Sequence, residues 1–172
     1  MELFFVLIIL MLLVSFLIPA VSLAPWLPMW KKDLPRVFAL AKLQPKQVFY
    51  DLGCGDGRTV FYAAKQEPTI KALGIELSLP MFLICQLKRL FSAQKNTKFL
   101  LKNALKQNLS DADVVFIYAL PDNLKKKVVS KLKQEMKKGS MVISYAFKIE
   151  GLEPVIIDKP AQHLLPVNVY QF

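Results

Sequence analysis

Residues 47–58, QVFYDLGCGDGR, constrain this chain more than any other stretch. Val48-Phe49-Tyr50 is an apolar run suited to a buried strand, and it leads into Asp51. Gly53, Gly55 and Gly57 then alternate, and a helical pattern over about 57–66 follows, with Val60, Ala63 and Ala64 on one side. A glycine-rich turn between a strand and a helix lets backbone amides approach a ligand that a Cβ would hold off. The segment therefore predicts a nucleotide-type cofactor at the end of the first strand.

The rest of the pattern repeats this alternation. A second strand runs from Ile70 to Leu77 and closes on Glu76-Leu77-Ser78, where Ser78 is a good N-cap for a helix over 79–94 with Pro80 in its first turn. Strand three covers 97–102, and a polar connector over 103–112 replaces a full helix. Val114–Tyr118 is strand four. Pro121-Asp122-Asn123 opens a helix whose stripe Leu124, Val128, Leu132 and Met136 faces the core, with Gly139 as its C′ stop. Strand five is Met141–Ala146, and Val155–Ile157 and Val167–Tyr170 form a terminal hairpin. This is the pattern of an α/β, Rossmann-like sheet, mostly parallel with a C-terminal antiparallel hairpin, which binds ligand at the strands' C-terminal ends. It leaves no room for a separate substrate domain.

Over the whole chain 54% apolar residues and a mean hydropathy of +0.36 exceed a soluble domain's norm, and much of the excess sits at the N-terminal end. Leu3 to Leu23 is 21 residues without a charge. As a helix it reaches roughly 31 Å, enough to cross a hydrocarbon core. Ser22-Leu23-Ala24 resembles a signal-peptide cleavage site, but Glu2 and the length of the apolar run favour an uncleaved anchor. Trp26 and Trp30 suit a headgroup layer, and Lys31-Lys32 place the rest of the chain in the cytoplasm. The expected organisation is a transmembrane anchor over 1–24, a connector and helix over 25–46, the helix itself spanning 33–43, and a cofactor domain over 47–172.

Residues 31–172 carry 23 basic and 12 acidic side chains, with seven lysines between Lys125 and Lys138. That balance suits the anionic lipid surface beside the anchor or a plain solvated helix face; nothing interleaves aromatic and basic residues for nucleic acid. Cys54 and Cys85 are too sparse for a disulfide framework, and no Cys/His cluster predicts a metal. Cys54 reads as a small filler of the loop and Cys85 as a core residue. His163, the single histidine, reads as a solvated loop residue.

Glu76 stands 19 residues beyond Gly57 and can accept ribose hydroxyls. A dinucleotide fingerprint would want glycine at position 58, where Arg58 stands. Asp51 with Gly53, Gly55 and Gly57 instead resembles the first motif, D-x-G-x-G-x-G, of the class I S-adenosylmethionine-dependent methyltransferases. The resemblance implies that Asp51, Gly53, Cys54, Gly55, Asp56 and Gly57 cradle the methionine part and the adenosine, that Glu76 holds the ribose, and that Asn103 and Ala104 meet the adenine. Asn103 departs from the aspartate usual there. DLGCGDGRTVFYAAK, GIEL and NLSDADVVFIYALP narrow the resemblance to the membrane-anchored protein-lysine methyltransferases, which modify adenine nucleotide translocase or the ATP synthase c subunit. A lysine of a membrane protein is the implied acceptor; nothing in the chain resembles a mitochondrial transit peptide.

Methyl transfer from a sulfonium is an in-line displacement that needs alignment more than a strong base. A lysine nucleophile must first lose its proton, at a cost of about 5 kcal/mol near neutral pH, reduced where the pocket is partly desolvated. The resemblance implies that Tyr118-Ala-Leu-Pro121, at the end of strand four, lines the acceptor pocket, with Tyr118 orienting the amine and a packed core tyrosine as the alternative. Asp122 is a second candidate, with helix-start capping as its alternative. Met81–Ile84 is apolar all round its helix, through core packing or through leaning on a bilayer. Two other functions stay open: methylation of a lipid, quinone or other small membrane molecule, and a cofactor-binding scaffold without turnover.

Overall fold

A computed structural model describes Met1, residues 5–6 and residues 27–172. Almost all of the expected anchor over 1–24 lies outside the described residues. Among those residues no helix is long and apolar enough to cross a membrane.

The chain enters through a 3-10 turn, Lys31–Asp33, and then α1, Leu34–Ala41, with Pro35 in its first turn. Lys42 takes a left-handed φ of 44° and ends the helix, its amide donating to Phe38 O. Then follow β1 (Val48–Leu52), α2 (Arg58–Gln66), β2 (Lys71–Glu76), α3 (Leu79–Phe91) and β3 (Thr97–Leu101). The connector after β3 holds one 3-10 turn, Ala104–Lys106, and leads to β4, Val114–Ile117. Helix α4 starts as Pro121–Asn123, widens through a π turn over Leu124–Val128 and continues as Val129–Glu135. Strand β5 is Met141–Tyr145, and β6 (Ile156–Asp158) and β7 (Val167–Gln171) close the chain.

The strands form one sheet in the order β3-β2-β1-β4-β5-β7-β6. Strands β1 to β5 pair in parallel, while β7 runs antiparallel to both β5 and β6. The strand order reverses between β1 and β4, and the crevice beyond the C-terminal ends at such a reversal is where open α/β sheets bind ligands. Alternation along the strands divides the core into two faces. Phe49, Val114, Phe116 and Ile143 pack with α1, α2 and Cys85 on one side. Tyr50, Leu52, Val115, Ile117 and Val142 pack with Leu124, Val128 and Leu132 on the other.

Several helices are shorter than expected: α1 spans Leu34–Ala41 rather than 33–43, and α3 ends at Phe91 rather than 94. Helix α4 stops at Glu135, four residues before Gly139, because Met136 is already extended (ψ 129°). Gly139 (φ 87°) instead turns the chain into β5, its amide donating to Phe172 O at 2.7 Å. The lysines at 137 and 138 thus lie beyond the helix, and Lys137 pairs with Asp113 at 2.6 Å.

Candidate active site

The loop after β1 is shaped by backbone. Gly53, Gly55 and Gly57 have φ of 87°, 53° and 77°, all in the left-handed region that side chains resist. At Gly57 a Cβ would also stand 2.8 Å from Phe99 Cε1 and 3.1 Å from Cys85 Sγ. The amides of Gly53 and Cys54 donate to Ile75 O at 2.9 and 3.0 Å, drawing the loop across to the end of β2.

Glu76 closes that end and gathers three amides. Its Oε2 accepts from Gly55 N at 2.7 Å, and its Oε1 accepts from Leu77 N at 2.8 Å and Ser78 N at 2.7 Å. Burial pushes the carboxyl upward and these amides pull it back, with a net rise. A carboxylate offers about four lone-pair sites, so Oε2 keeps one open for a ligand hydroxyl. Beside it the Ser78 hydroxyl is buried with no hydrogen-bond partner. An open acceptor, an orphaned hydroxyl and a loop stripped of side chains suit a ribose with its attached chain, so the residues present fit S-adenosylmethionine.

Asp51 is buried under the loop and accepts from Thr59 Oγ1, tying β1 to the first turn of α2. Burial raises its carboxyl to about 7; Thr59 works against the rise, and the charges of Glu76 and Asp56 add to it. Asp56 accepts from Arg58 Nε at 2.8 Å and Lys88 Nζ at 2.9 Å, and Arg58 Nη1 reaches Met29 O at 2.7 Å. Burial alone would raise Asp56, but the two cations outweigh it and hold the carboxyl low. Arg58 thus pairs with a carboxylate of the loop as the helix begins. Cys54 and Cys85 are both buried, Cys85 Sγ lying 3.1 Å from Gly55 O, and burial raises the Cys54 thiol well above its usual range. Asn103 accepts from Leu105 N at 2.9 Å through Oδ1, capping the turn that buries Ala104.

Tyr118 follows β4, and the register Leu52↔Ile117 brings it to the same end of the sheet as Gly53. Its ring meets Tyr145 edge-on at 5.0 Å and lies nearly parallel to Phe147 at 6.3 Å. Burial raises the Tyr118 hydroxyl, which has no hydrogen bond to another described residue. The Tyr145 hydroxyl donates to Asp33 Oδ2 at 2.6 Å, joining the turn before α1 to the sheet. Arg36 then links Asp33 (3.4 Å), Asp158 (2.6 Å) and the carbonyl of Leu165 (2.7 Å), so the segment before the first strand and the terminal hairpin share one wall. Asp122 lies exposed in the first turn of α4, where Leu120 is the cap residue and no side chain caps the helix. The expected capping by Asp122 is therefore absent.

Tyr145, Phe147, Asp33 and Arg36 were not identified from sequence. One signal was available: the pairing Ile117↔Ser144 makes Tyr118 and Tyr145 equivalent positions, one residue past parallel neighbours. The role of Asp33 carried no signal, because its partner lies 112 residues away.

Reversed strand order, an antiparallel last strand and a glycine loop clasped by the acidic residue that closes β2 define a class I S-adenosylmethionine-dependent methyltransferase. The chain belongs to the family of the ANTKMT methyltransferase domain, which matches residues 51–156. It is 30% identical over 153 residues to a protein-lysine N-methyltransferase of Saccharolobus islandicus (strain REY15A), covering 86% of this chain and 92% of that protein. An RNA methyltransferase from Salinibacter ruber, solved with S-adenosyl-L-homocysteine, superposes with a TM-score of 0.78 at 25% identity, covering 84% of this chain and 93% of the other. A precorrin-6y C5,15-methyltransferase from Geobacter metallireducens shares the fold, with a TM-score of 0.65 at 15% identity over 83% and 88% of the two chains. The cofactor is S-adenosylmethionine.

Proposed function

We propose that this methyltransferase modifies lysine side chains of a membrane protein, held beside its substrate by the apolar N-terminal segment, with the catalytic domain in the cytoplasm. The observation that carries the acceptor class is the pair of half-buried rings, Tyr118 and Phe147, at the donor-loop end of the sheet, backed by the fully buried Tyr145 and its bond to Asp33. Aromatic faces attract an ammonium or methylammonium group and give no purchase to a phosphate. The name of the Saccharolobus relative supports the same acceptor.

When bound, S-adenosylmethionine supplies an electrophilic methyl on a sulfonium. The chain's residues do the rest. Glu76, fixed by the Gly55 amide, would hold the ribose through the open lone pair of Oε2, and Asn103 and Ala104 would flank the adenine. The side-chain-poor loop from Gly53 to Gly57, whose Gly53, Cys54 and Gly57 amides are spent on holding its shape, would leave room for the methionine end above the buried Asp51. Tyr118 accepts a hydrogen bond from the incoming amine and aims its lone pair along the line of displacement. The aromatic wall excludes water, which lowers the lysine pKa and assists loss of its proton to solvent. Asp122, exposed at the rim, guides the cationic side chain inward.

The test is to incubate the full chain and methyl-labelled cofactor with membranes of its host. Label in a protein band that yields methyl-lysine on hydrolysis is expected. Label found only in the organic extract would replace lysine with a lipid or quinone acceptor. Cofactor binding without label anywhere would leave a scaffold.

A further inference from the structure

Helix α3 is amphipathic in an unusual sense, because the wider of its apolar faces looks outward. Met81 and Cys85 face the core. Leu83, Ile84, Leu87, Leu90 and Phe91 are exposed, the last two by 72% and 85%. At 3.6 residues per turn these five occupy an arc of about 120° opposite the buried face. An apolar stripe of this kind on a folded domain marks a contact surface.

Charge identifies the partner. Between Glu76 and Asp111 the sequence has six basic residues and no acidic one. Of these Lys88 and Arg89 lie on α3 itself, and Lys95 and Lys98 are exposed just beyond it. An apolar helix face bordered by cations, of which Lys88 is paired with Asp56 while Lys95 and Lys98 stand exposed, fits the headgroup layer of an anionic bilayer.

A chain of contacts ties this face to Met29, six residues beyond the apolar segment in sequence. Met29 O accepts from Arg58, Arg58 pairs with Asp56, and Asp56 pairs with Lys88 of α3, at 2.7, 2.8 and 2.9 Å. Ile84 and Phe91 flank Lys88 at i−4 and i+3. On either side of Met29, Leu27 and Trp30 are exposed, and Lys32 Nζ lies 4.6 Å above the Trp30 ring. Exposed tryptophan with lysine beside it is an interfacial pairing.

We propose that the outward face of α3 lies in the interfacial layer of an anionic membrane, a second attachment that fixes the height and tilt of the active site above the bilayer. The inference rests on the membrane location proposed above and adds a contact which that location does not require. An anchor alone leaves the domain free to turn on its connector.

The test uses the full chain with Trp26→Phe and Trp30→Phe, its only tryptophans. Leu90→Trp is the probe, and Lys133→Trp, exposed on α4, is the control. The vesicles are dibrominated phosphatidylcholine with about one-third phosphatidylserine. Expected are a blue shift and at least about two-fold bromine quenching for Leu90→Trp, none for Lys133→Trp, and a weaker effect without phosphatidylserine. Flotation with the vesicles while the Leu90→Trp probe stays unquenched and water-like would overturn this inference and leave the anchor standing. Failure to float would overturn both. A blue shift that grows with protein concentration in the absence of lipid would assign the face to a second copy of the chain and sink the proposal.

Discussion

The donor side of the site and the acceptor side are built differently. The donor side is local and made largely of backbone: loop amides, left-handed glycines and one carboxylate lie within 51–78, and Glu76 alone clasps three amides from two segments. The proposed acceptor side is a set of rings and charges from four separate parts of the chain, at 33–36, 118, 145–147 and 158–165. A backbone cradle serves any acceptor, since the methyl donor is always the same molecule. A side-chain wall can be re-lined to suit a new acceptor without disturbing the donor.

The contrast is tested most strongly at Glu76. Replacing Glu76 with Ala removes three hydrogen bonds to a charged group, each worth about 1.5–3 kcal/mol. We expect cofactor affinity to fall by about 100-fold or more, read by calorimetry, while circular dichroism shows the domain folded. Tyr118→Ala should slow methyl transfer by about 10–100-fold, with Tyr118→Phe between it and the native enzyme, while both bind cofactor as the native chain does. Weakened cofactor binding in Tyr118→Ala would erase the division between the two sides.

The smallest effect concerns pH. Asp51 titrates near 7 in the fold and near its ordinary 3.8 when unfolded. Between these values the folded chain holds a proton that the unfolded chain has lost, so stability falls as pH rises and the loss is complete above about 7. Urea midpoints should therefore drop from about pH 4.5 to about pH 7.5 by the equivalent of a few kcal/mol at most, and Asp51→Asn should flatten that slope. An unchanged slope in Asp51→Asn would place the titration elsewhere.

Legibility followed the same division. Glycines at alternate positions require left-handed backbone, and Glu76 required only a strand end to be placed, so both could be read from spacing. Tyr118 was legible as the end of a strand, which the structure closes one residue earlier, and the stripe Leu124, Val128 and Leu132 as a core face, all three fully buried. The end of α4 was not, because an extended Met136 competes with Gly139 through contacts made to Phe172 at the far terminus. The alternatives at Asp122 and Met81–Ile84 needed exposure to decide them: Asp122 caps nothing, while Met81 packs inward and Leu83 and Ile84 turn out.

By itself the sequence determined the class of fold, the identity of the methyl donor and the presence of a 21-residue apolar segment. Each of these depends on periodicity or on groups within a few residues of one another, and the chain's covalent geometry carries such information directly. Only the tertiary structure decided that Tyr145 bonds Asp33, that Arg36 ties the pre-sheet helix to the terminal hairpin, and that α3 turns its broader apolar face outward. Those outcomes depend on which surfaces are covered once distant segments pack together, and no local pattern records what a neighbour more than a hundred residues away will bury.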